Sequence, residues 1–501
     1  MNVINQPNQE IIERLGGIQI LVPGKNYRLN KYVVEERVDD RVVLYNGFNR
    51  ALIDMNEEEY NNCISITRDL DYVDFFFRNY FVVPDDYDER AEIEKVMEGK
   101  RSQIDENYLK NTNLYTILPT TGCNARCFYC YELGTKTKVM TKETAEKIAT
   151  LIVRRYKEKI RQNPDNRDKV KLHWFGGEPT LGANIIDHIC EILVANNVPF
   201  IGDIISNGYL FNPELSKKAR ELWKIDNAQI TIDGTEEVYN KTKAYVYKDD
   251  PNPFKTVIGN IRNLISNGIR VAIRINVDLY NAEDVKNLIP QIKSEFGPEN
   301  LLSMYAYPIF EGHGIKRTPE HLKQTIDKIE EIDQVLEDYG YSSGTIGGGL
   351  SSHHCMADGG NALLFSPDGN IGLCEHYVDK EFIGHIDDPD NLNMEIVKKF
   401  WEREEDLEIC SSCPDYLDCI RLSMCEDLRV CNEEIRRWRT NQVRRKVRNT
   451  VKRYYEEIRN KENNRCQNSS VEGDLAEIKE SLRILHNKID TIFRYLNNQG
   501  Q

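Results

Sequence analysis

Residues 120–132 read TTGCNARCFYCYE and directly follow a strand-like stretch, LYTIL at 114–118. Three thiols, Cys123, Cys127 and Cys130, stand there at C-x3-C-x2-C. Thiolates at this spacing on one loop can grip three irons of a 4Fe–4S cube and leave the fourth iron open. Thiolate suits such a cluster because it is soft and tolerates both cluster charges. An open iron can chelate a small molecule by its amine and carboxylate, then pass one electron into an adjacent C–S bond. The plain alternative is a zinc site, which usually takes C-x2-C pairs and a fourth protein ligand.

Outward from this loop, strand and helix patterns alternate from 114 to 337. Further strands are expected at 171–175, 200–206, 228–233, 270–277 and 301–309. Helices are expected around 141–161, 184–196, 213–223, 254–267, 282–296 and 319–338. Six β/α units imply parallel strands with right-handed crossovers. Six units rather than eight predict an α/β fold of the open kind, a partial (β/α)6 TIM-like barrel over 111–338. Chemistry then belongs at the carboxyl ends of the strands. The second strand ends in Gly176-Gly177-Glu178-Pro179, the third in Ser206-Asn207-Gly208, the fourth in Thr231-Ile232-Asp233-Gly234, and Arg274 lies on the fifth.

The thiol spacing, with these segments on successive strand ends, resembles the radical S-adenosylmethionine superfamily. The resemblance implies that Cys123, Cys127 and Cys130 hold a 4Fe–4S cluster that splits S-adenosyl-L-methionine. It implies that Gly176, Gly177 and Glu178 meet the cofactor's amino group, and Ser206 and Asn207 lie beside it. Thr231 and Asp233 fall where the family touches the ribose. Arg274 could reach the carboxylate, or pair with an acid instead. Tyr129 matches the family's aromatic near the adenine.

A second cysteine region follows. Cys355 and Cys374 are spaced C-x13-G-x4-C through Gly369, and Cys410, Cys413 and Cys419 give C-x2-C-x5-C before Cys425 and Cys431. This resembles the SPASM domain of peptide-modifying radical enzymes, with two auxiliary 4Fe–4S clusters, three clusters in all. The family's C-x3-C step is C-x5-C here, from Cys419 to Cys425. Mapping by motif implies an outer cluster on Cys410, Cys413, Cys419 and Cys431. It leaves Cys355, Cys374 and Cys425 to an inner cluster. Either His353, His354 or His376 completes that set, or its fourth iron is open. Glu375, directly after Cys374, matches an acid that acts as general base in some relatives; the alternative is an exposed surface glutamate.

Four regions result: a small α/β module at 1–110, the barrel at 111–338, a SPASM domain at 339–435 and a helical tail at 436–501. In the module, alternation at 18–45 predicts strands with a turn at Asp39-Asp40, and helices are expected at 55–68 and 87–98. It could take a substrate's leader as an added strand or cap the barrel. Residues 436–453 hold nine Arg and Lys residues, either a solvated helix face or a docking surface for an acidic partner. A polar gap is expected at 460–473. A last helix from Asp474 carries Leu475, Ile478, Leu482, Leu485, Ile489, Ile492 and Leu496, a coiled-coil seam able to pair copies of the chain.

Composition sets the bounds. The chain has 501 residues, net charge −15 and 13 cysteines. The acidic balance argues against nucleic acid as a partner, and no apolar run is long enough to span a membrane. No signal-type stretch opens the chain, so a cytoplasmic protein is expected. Clustered cysteines in a reducing compartment imply metal ligation rather than disulfides. Cys63, Cys190 and Cys466 stand apart as packing residues or free thiols.

The resemblance implies an oxidoreductase of natural-product biosynthesis, a peptide maturase. A 5′-deoxyadenosyl radical would take a hydrogen from a ribosomally made precursor peptide, and a thioether or carbon–carbon crosslink would form. A flavodoxin or ferredoxin would supply electrons. Formylglycine-type sulfatase maturation is an alternative within this class. A non-enzymatic, metal-stapled coiled-coil scaffold is an alternative outside it.

Overall fold

The first hundred positions form short strands and helices that pair among themselves before the parallel sheet begins. The elements are β1 (Asn2–Asn5), α1 (Gln9–Arg14), β2 (Tyr27–Leu29), β3 (Val33–Val38), β4 (Arg41–Asn46), β5 (Leu52–Met55), α2 (Glu57–Ile64), α3 (Val73–Arg78), β6 (Val82–Pro84) and α4 (Glu89–Arg101). The computed structural model describes residues 1–468 apart from 18, 20–24, 65–72, 102–108, 110–111, 133, 310–317, 342–343, 348–354, 358–361, 378–379, 420–421 and 426–430. The first expected strand, 18–22, and the heptad seam from Asp474 therefore lie largely or wholly outside the described residues.

The module's sheet is antiparallel in the order β1-β5-β4-β3, and β2 pairs with β6. Asp39, at φ +54°, makes the expected turn between β3 and β4. Where a helix is expected from 55, Leu52–Met55 instead forms β5. It lies between β1 and β4, so pairing on both sides decides its conformation. The helix starts at Glu57, after a reciprocal cap in which Asn56 and Glu59 exchange bonds of 2.8 Å.

Residues 114–338 alternate as expected: β7 (Leu114–Ile117), α5 (Lys142–Gln162), β8 (Val170–Trp174), α6 (Ala183–Ala195), β9 (Phe200–Ser206), α7 (Pro213–Glu221), β10 (Ile225–Thr231), α8 (Glu236–Lys243), α9 (Pro253–Ser266), β11 (Arg270–Val277), α10 (Ala282–Phe296), β12 (Leu302–Pro308) and α11 (Pro319–Asp338). β7 through β12 are mutually parallel and follow one another in order, leaving β12 as an edge. Their outward side chains meet an apolar stripe on each helix, such as Ile148 and Ile152 of α5 and Ile185, Ile186 and Ile189 of α6. Each such side chain contributes about 1.5–3 kcal/mol on burial. Thr141 caps α5 by accepting from the Thr144 amide at 3.1 Å.

β13 (Ala362–Phe365), β14 (Asn370–Gly372) and β15 (Gly384–His385) extend this sheet, because β13 pairs parallel with β7. The strand leading to the first thiol loop thus carries the second cysteine region on its other edge. α12 (Met394–Trp401) follows, and α13 (Glu433–Asn468) closes the described chain.

α13 bears out the solvated face only in part, at the exposed Arg444, Lys446, Lys452 and Arg453, and crosses much of the expected polar gap. Val443, Val447 and Val451 lie on one face and pack on Val34, Val38, Val43, Tyr45 and Leu52 of the module. Its arginines pair with acids of the same chain: Arg437 with Asp327 at 2.6 Å, Arg445 with Glu337 at 2.7 Å and Arg448 with Glu36 at 3.2 Å. The acidic partner of the basic helix is therefore the protein's own α11 and β3. Among the described residues no helix is long and apolar enough to cross a membrane.

Candidate active site

The loop after β7 is held at its base. Thr120 Oγ1 donates to the Lys138 carbonyl at 2.7 Å, and Thr121 Oγ1 to the Lys136 carbonyl at 2.9 Å. The glycine pair after β8 lies against it. Gly176 has φ +126°, and a Cβ there would meet the Thr120 carbonyl oxygen at 2.3 Å. A Cβ on Gly177 would come within 2.5 Å of the Gly122 carbonyl oxygen. The close approach these glycines permit is thus first of all between two strand-end loops. It is sealed by the Glu178 amide donating to Gly122 at 2.9 Å.

Cys123, Cys127 and Cys130 come close enough to act on one another electrostatically. Burial, then Glu178 and the neighbouring Cys127, pushes Cys123 up to about 11; burial, then Glu132 and the neighbouring thiols, pushes Cys130 to about 12. Buried, crowded thiols of this kind become thiolates only beside strong positive charge, which bound irons supply. Among the described residues no three His, Cys, Asp or Glu side chains converge on a single ion position. A cluster that takes one thiolate per iron does not ask for such convergence.

Two buried networks brace this loop. Glu178 is fully buried, and burial raises its pKa. Its carboxylate accepts from the Thr180 hydroxyl at 2.5 Å, the Ser206 hydroxyl at 2.8 Å and the Asn207 amide at 2.8 Å. Asn207 Nδ2 then donates to Asn124 Oδ1 at 2.6 Å, beside Cys123. The second network centres on Asp233, also fully buried. It accepts from the Tyr129 hydroxyl at 2.5 Å, the Asn276 amide at 3.0 Å and Lys243 at 2.9 Å. Lys243 also donates to Thr231 Oγ1 at 2.7 Å. Burial opposes the Lys243 charge, but Asp233, Tyr129 and Cys127 together outweigh it and hold the ammonium well above its usual range. Tyr129, Thr231 and Asp233, read from sequence as cofactor contacts, are therefore bound to one another through Lys243.

A cavity of about 290 Å³ opens over these strand ends. Cys123, Cys127, Cys130, Tyr129, Gly176, Gly177, Ser206, Asn207, Thr231 and Arg274 line it. Glu178 and Asp233 sit behind its wall. Arg274 donates to Asn276 Oδ1 at 2.9 Å and lies 4.2 Å over the Tyr307 ring, so the expected acid partner is an amide and an aromatic face. Glu375 lines the same cavity, half-buried rather than exposed.

Sequence reading missed Lys243, Glu132 and Tyr131. The signal for Lys243 was present in TEEVYNKTK at 235–243, an N-cap threonine before two acids, which marks the start of α8. Glu132 lines the cavity, and burial lifts it to about 7 against the opposing charge of His376. The Tyr131 ring stacks on His376 at 4.2 Å. Its hydroxyl is pushed well above its usual range by burial, then by Glu132, Glu375, Cys130 and Cys374. Tyr131 thus lies between the first and second thiol regions.

The second region separates into two groups. Burial, then Glu375, raises Cys374, on which Cys355 and Cys425 also act. Burial raises Cys413 to about 12, with Asp415, Cys419 and Cys431 acting on it, and Cys410 packs in the same core cluster. His353 and His354 lie outside the described residues, and His376 faces the barrel through Tyr131. The N-terminal module packs on this outer group. Tyr32 donates to the Cys410 carbonyl at 3.2 Å, and Arg90 pairs with Asp406 at 3.0 Å. The expected cap on the barrel is thus a cap on the outer cysteine loop.

The family model described as the Radical SAM superfamily matches residues 117–290. Among curated proteins no sequence matches the chain. Among solved structures, the chain is similar to native anSMEcpe with bound AdoMet and the Cp18Cys peptide. The TM-score is 0.49 at 15% identity, over 68% of this chain and 99% of that one. It is also similar to Streptococcus suis SuiB bound to the precursor peptide SuiA. That match has a TM-score of 0.45 at 12% identity, over 79% of this chain and 94% of that one.

Proposed function

Because residues 117–290 form a radical SAM domain, we propose that the protein is a SPASM-type peptide maturase, which oxidatively crosslinks a ribosomally made precursor. The observation that carries this reading is the single cavity lined by Cys123, Cys127, Cys130 and Glu375. On this reading a site for cofactor cleavage and a base for the substrate would share one lining.

With a 4Fe–4S cluster and S-adenosylmethionine bound, the site would supply a 5′-deoxyadenosyl radical able to remove a substrate hydrogen. The chain's own residues orient and shield. Asn124, Asn207 and Glu178 fix the thiol loop against the third strand end. Arg274 offers a cation to a carboxylate from the barrel wall. Phe175, Tyr307 and Ile309 give the cavity apolar walls that limit water. Glu375 would accept the proton that the substrate loses with its second electron. Cys355, Cys374 and Cys425, and separately Cys410, Cys413, Cys419 and Cys431, would hold auxiliary clusters that take that electron. Among the described residues no strand pairs with the outer sides of β1 and β3, the edges of the module's sheet, so a leader strand could add there.

The test is anaerobic reconstitution with iron and sulfide, followed by incubation with S-adenosylmethionine, a one-electron reductant and each short peptide that the genes flanking this one are found to encode. A peptide lighter by two hydrogens per crosslink, formed along with 5′-deoxyadenosine, supports the reading. Colourless, zinc-loaded protein that cleaves no cofactor would support the scaffold instead.

A further inference from the structure

Arg50 belongs to the N-terminal module, yet its side chain ends in the outer cysteine loop. It stands in the turn between β4 and β5 at φ +69°, a left-handed conformation that a non-glycine residue seldom adopts. Such a backbone persists where its surroundings over-determine it. The side chain is 4% exposed, and its guanidinium makes a two-point pair with the half-exposed Asp418, at 2.6 and 2.7 Å, beside Cys419. It also donates to the Tyr45 hydroxyl at 3.1 Å. Three residues earlier, a Cβ on Gly47 would meet the Pro414 carbonyl oxygen at 2.9 Å, so the turn and the loop are in close contact.

A second buried cation reaches the same loop from the opposite end of the chain. Arg439 of α13 pairs with Asp415, and Cys419 acts on its charge. The loop from Asp415 to Cys419 is thus bracketed by two arginines from separate segments. Burying an arginine is costly and would be unnecessary if packing alone were needed. A four-iron cluster on thiolates carries net negative charge that grows on reduction, and nearby charge sets its potential.

We infer that Arg50 is a positioning residue for the outer cluster: it fixes the Asp418–Cys419 corner and raises that cluster's reduction potential. The inference rests on the reading of Cys410, Cys413, Cys419 and Cys431 as cluster ligands. It gives the N-terminal module a role in setting the outer cluster's potential.

The experiment is an EPR-monitored redox titration, with iron analysis, on reconstituted full-length protein. It compares wild type with Arg50→Gln, Arg50→Lys and Asp418→Asn. A Cys410/Cys413/Cys419/Cys431→Ala variant identifies the outer signal. Arg50→Gln should shift that signal to lower potential and Asp418→Asn to higher potential. Arg50→Lys should stay near wild type, and all three should cleave S-adenosylmethionine as wild type does. If Arg50→Gln fails to fold, Asp418→Asn and Arg50→Lys still carry the test. A purely structural pair would leave the potential unchanged, or move it the same way in Arg50→Gln and Asp418→Asn; either result overturns the inference. Wild-type iron and spectra in the four-cysteine variant would overturn the cluster reading, and the inference with it.

Discussion

The two thiol regions are held in opposite ways. Cys123, Cys127 and Cys130 lie within eight residues, on a loop braced by backbone contacts and by buried networks from neighbouring strand ends. The outer group draws its support from far along the chain: Tyr32 and Arg50 from the module, and Arg439 from α13. The first site is a property of the barrel. The second is an assembly of three segments, whose ion pairs reach it from remote parts of the chain, whereas the buried Asp233–Lys243 pair of the first comes from a neighbouring strand end and the helix after it. A local frame resists change as a unit, whereas an assembled one should be adjustable through its remote holders.

The largest contrast is expected from removing the thiols themselves. Wild type should bind about twelve irons, four for each of three clusters. The Cys123/Cys127/Cys130→Ala variant should keep about eight and lose cofactor cleavage, while the Cys410/Cys413/Cys419/Cys431→Ala variant keeps cleavage. Iron analysis with product chromatography decides this; equal behaviour of the two variants would erase the distinction.

Next in size is Glu375→Gln, which keeps size and polarity but removes basicity. Deuterium from a labelled substrate should still reach 5′-deoxyadenosine, while modified peptide falls about a hundredfold. Full modification by cluster-intact Glu375→Gln would remove the base from the account.

Lys243→Met should destabilise the barrel by about 3–5 kcal/mol, because it leaves Asp233 charged and buried without its cation. Denaturant unfolding of the cluster-free protein measures this. A Lys243→Met/Asp233→Asn double variant should recover part of the loss. Smaller but more selective is Gly177→Ala. Its Cβ would lie 2.5 Å from the Gly122 carbonyl oxygen, so the two loops must part. S-adenosylmethionine binding by calorimetry should weaken more than thermal stability falls; unchanged affinity would mean the loops yield without cost.

The same contrast explains what the sequence made readable. The barrel's alternation and the strand-end motifs are local patterns, and each expected β/α unit from 114 to 338 is present. Lys243 was missed because α8 is an extra helix inside one crossover, although its capping pattern stood in the sequence. β5 was missed because strand neighbours on both sides, not local preference, decide residues 52–55. The basic stretch at 436–453 looked solvent-facing because its acidic partners, Glu36, Asp327 and Glu337, are remote in sequence. Arg50 was invisible for the same reason: no pattern around residue 50 points to Asp418.

The most direct test of the central claim is 5′-deoxyadenosine formation by the reconstituted chain, given S-adenosylmethionine and a one-electron reductant under anaerobic conditions. The account predicts steady formation by wild type and none by the Cys123/Cys127/Cys130→Ala variant. No product from iron-replete wild type, or undiminished product from the variant, would contradict it.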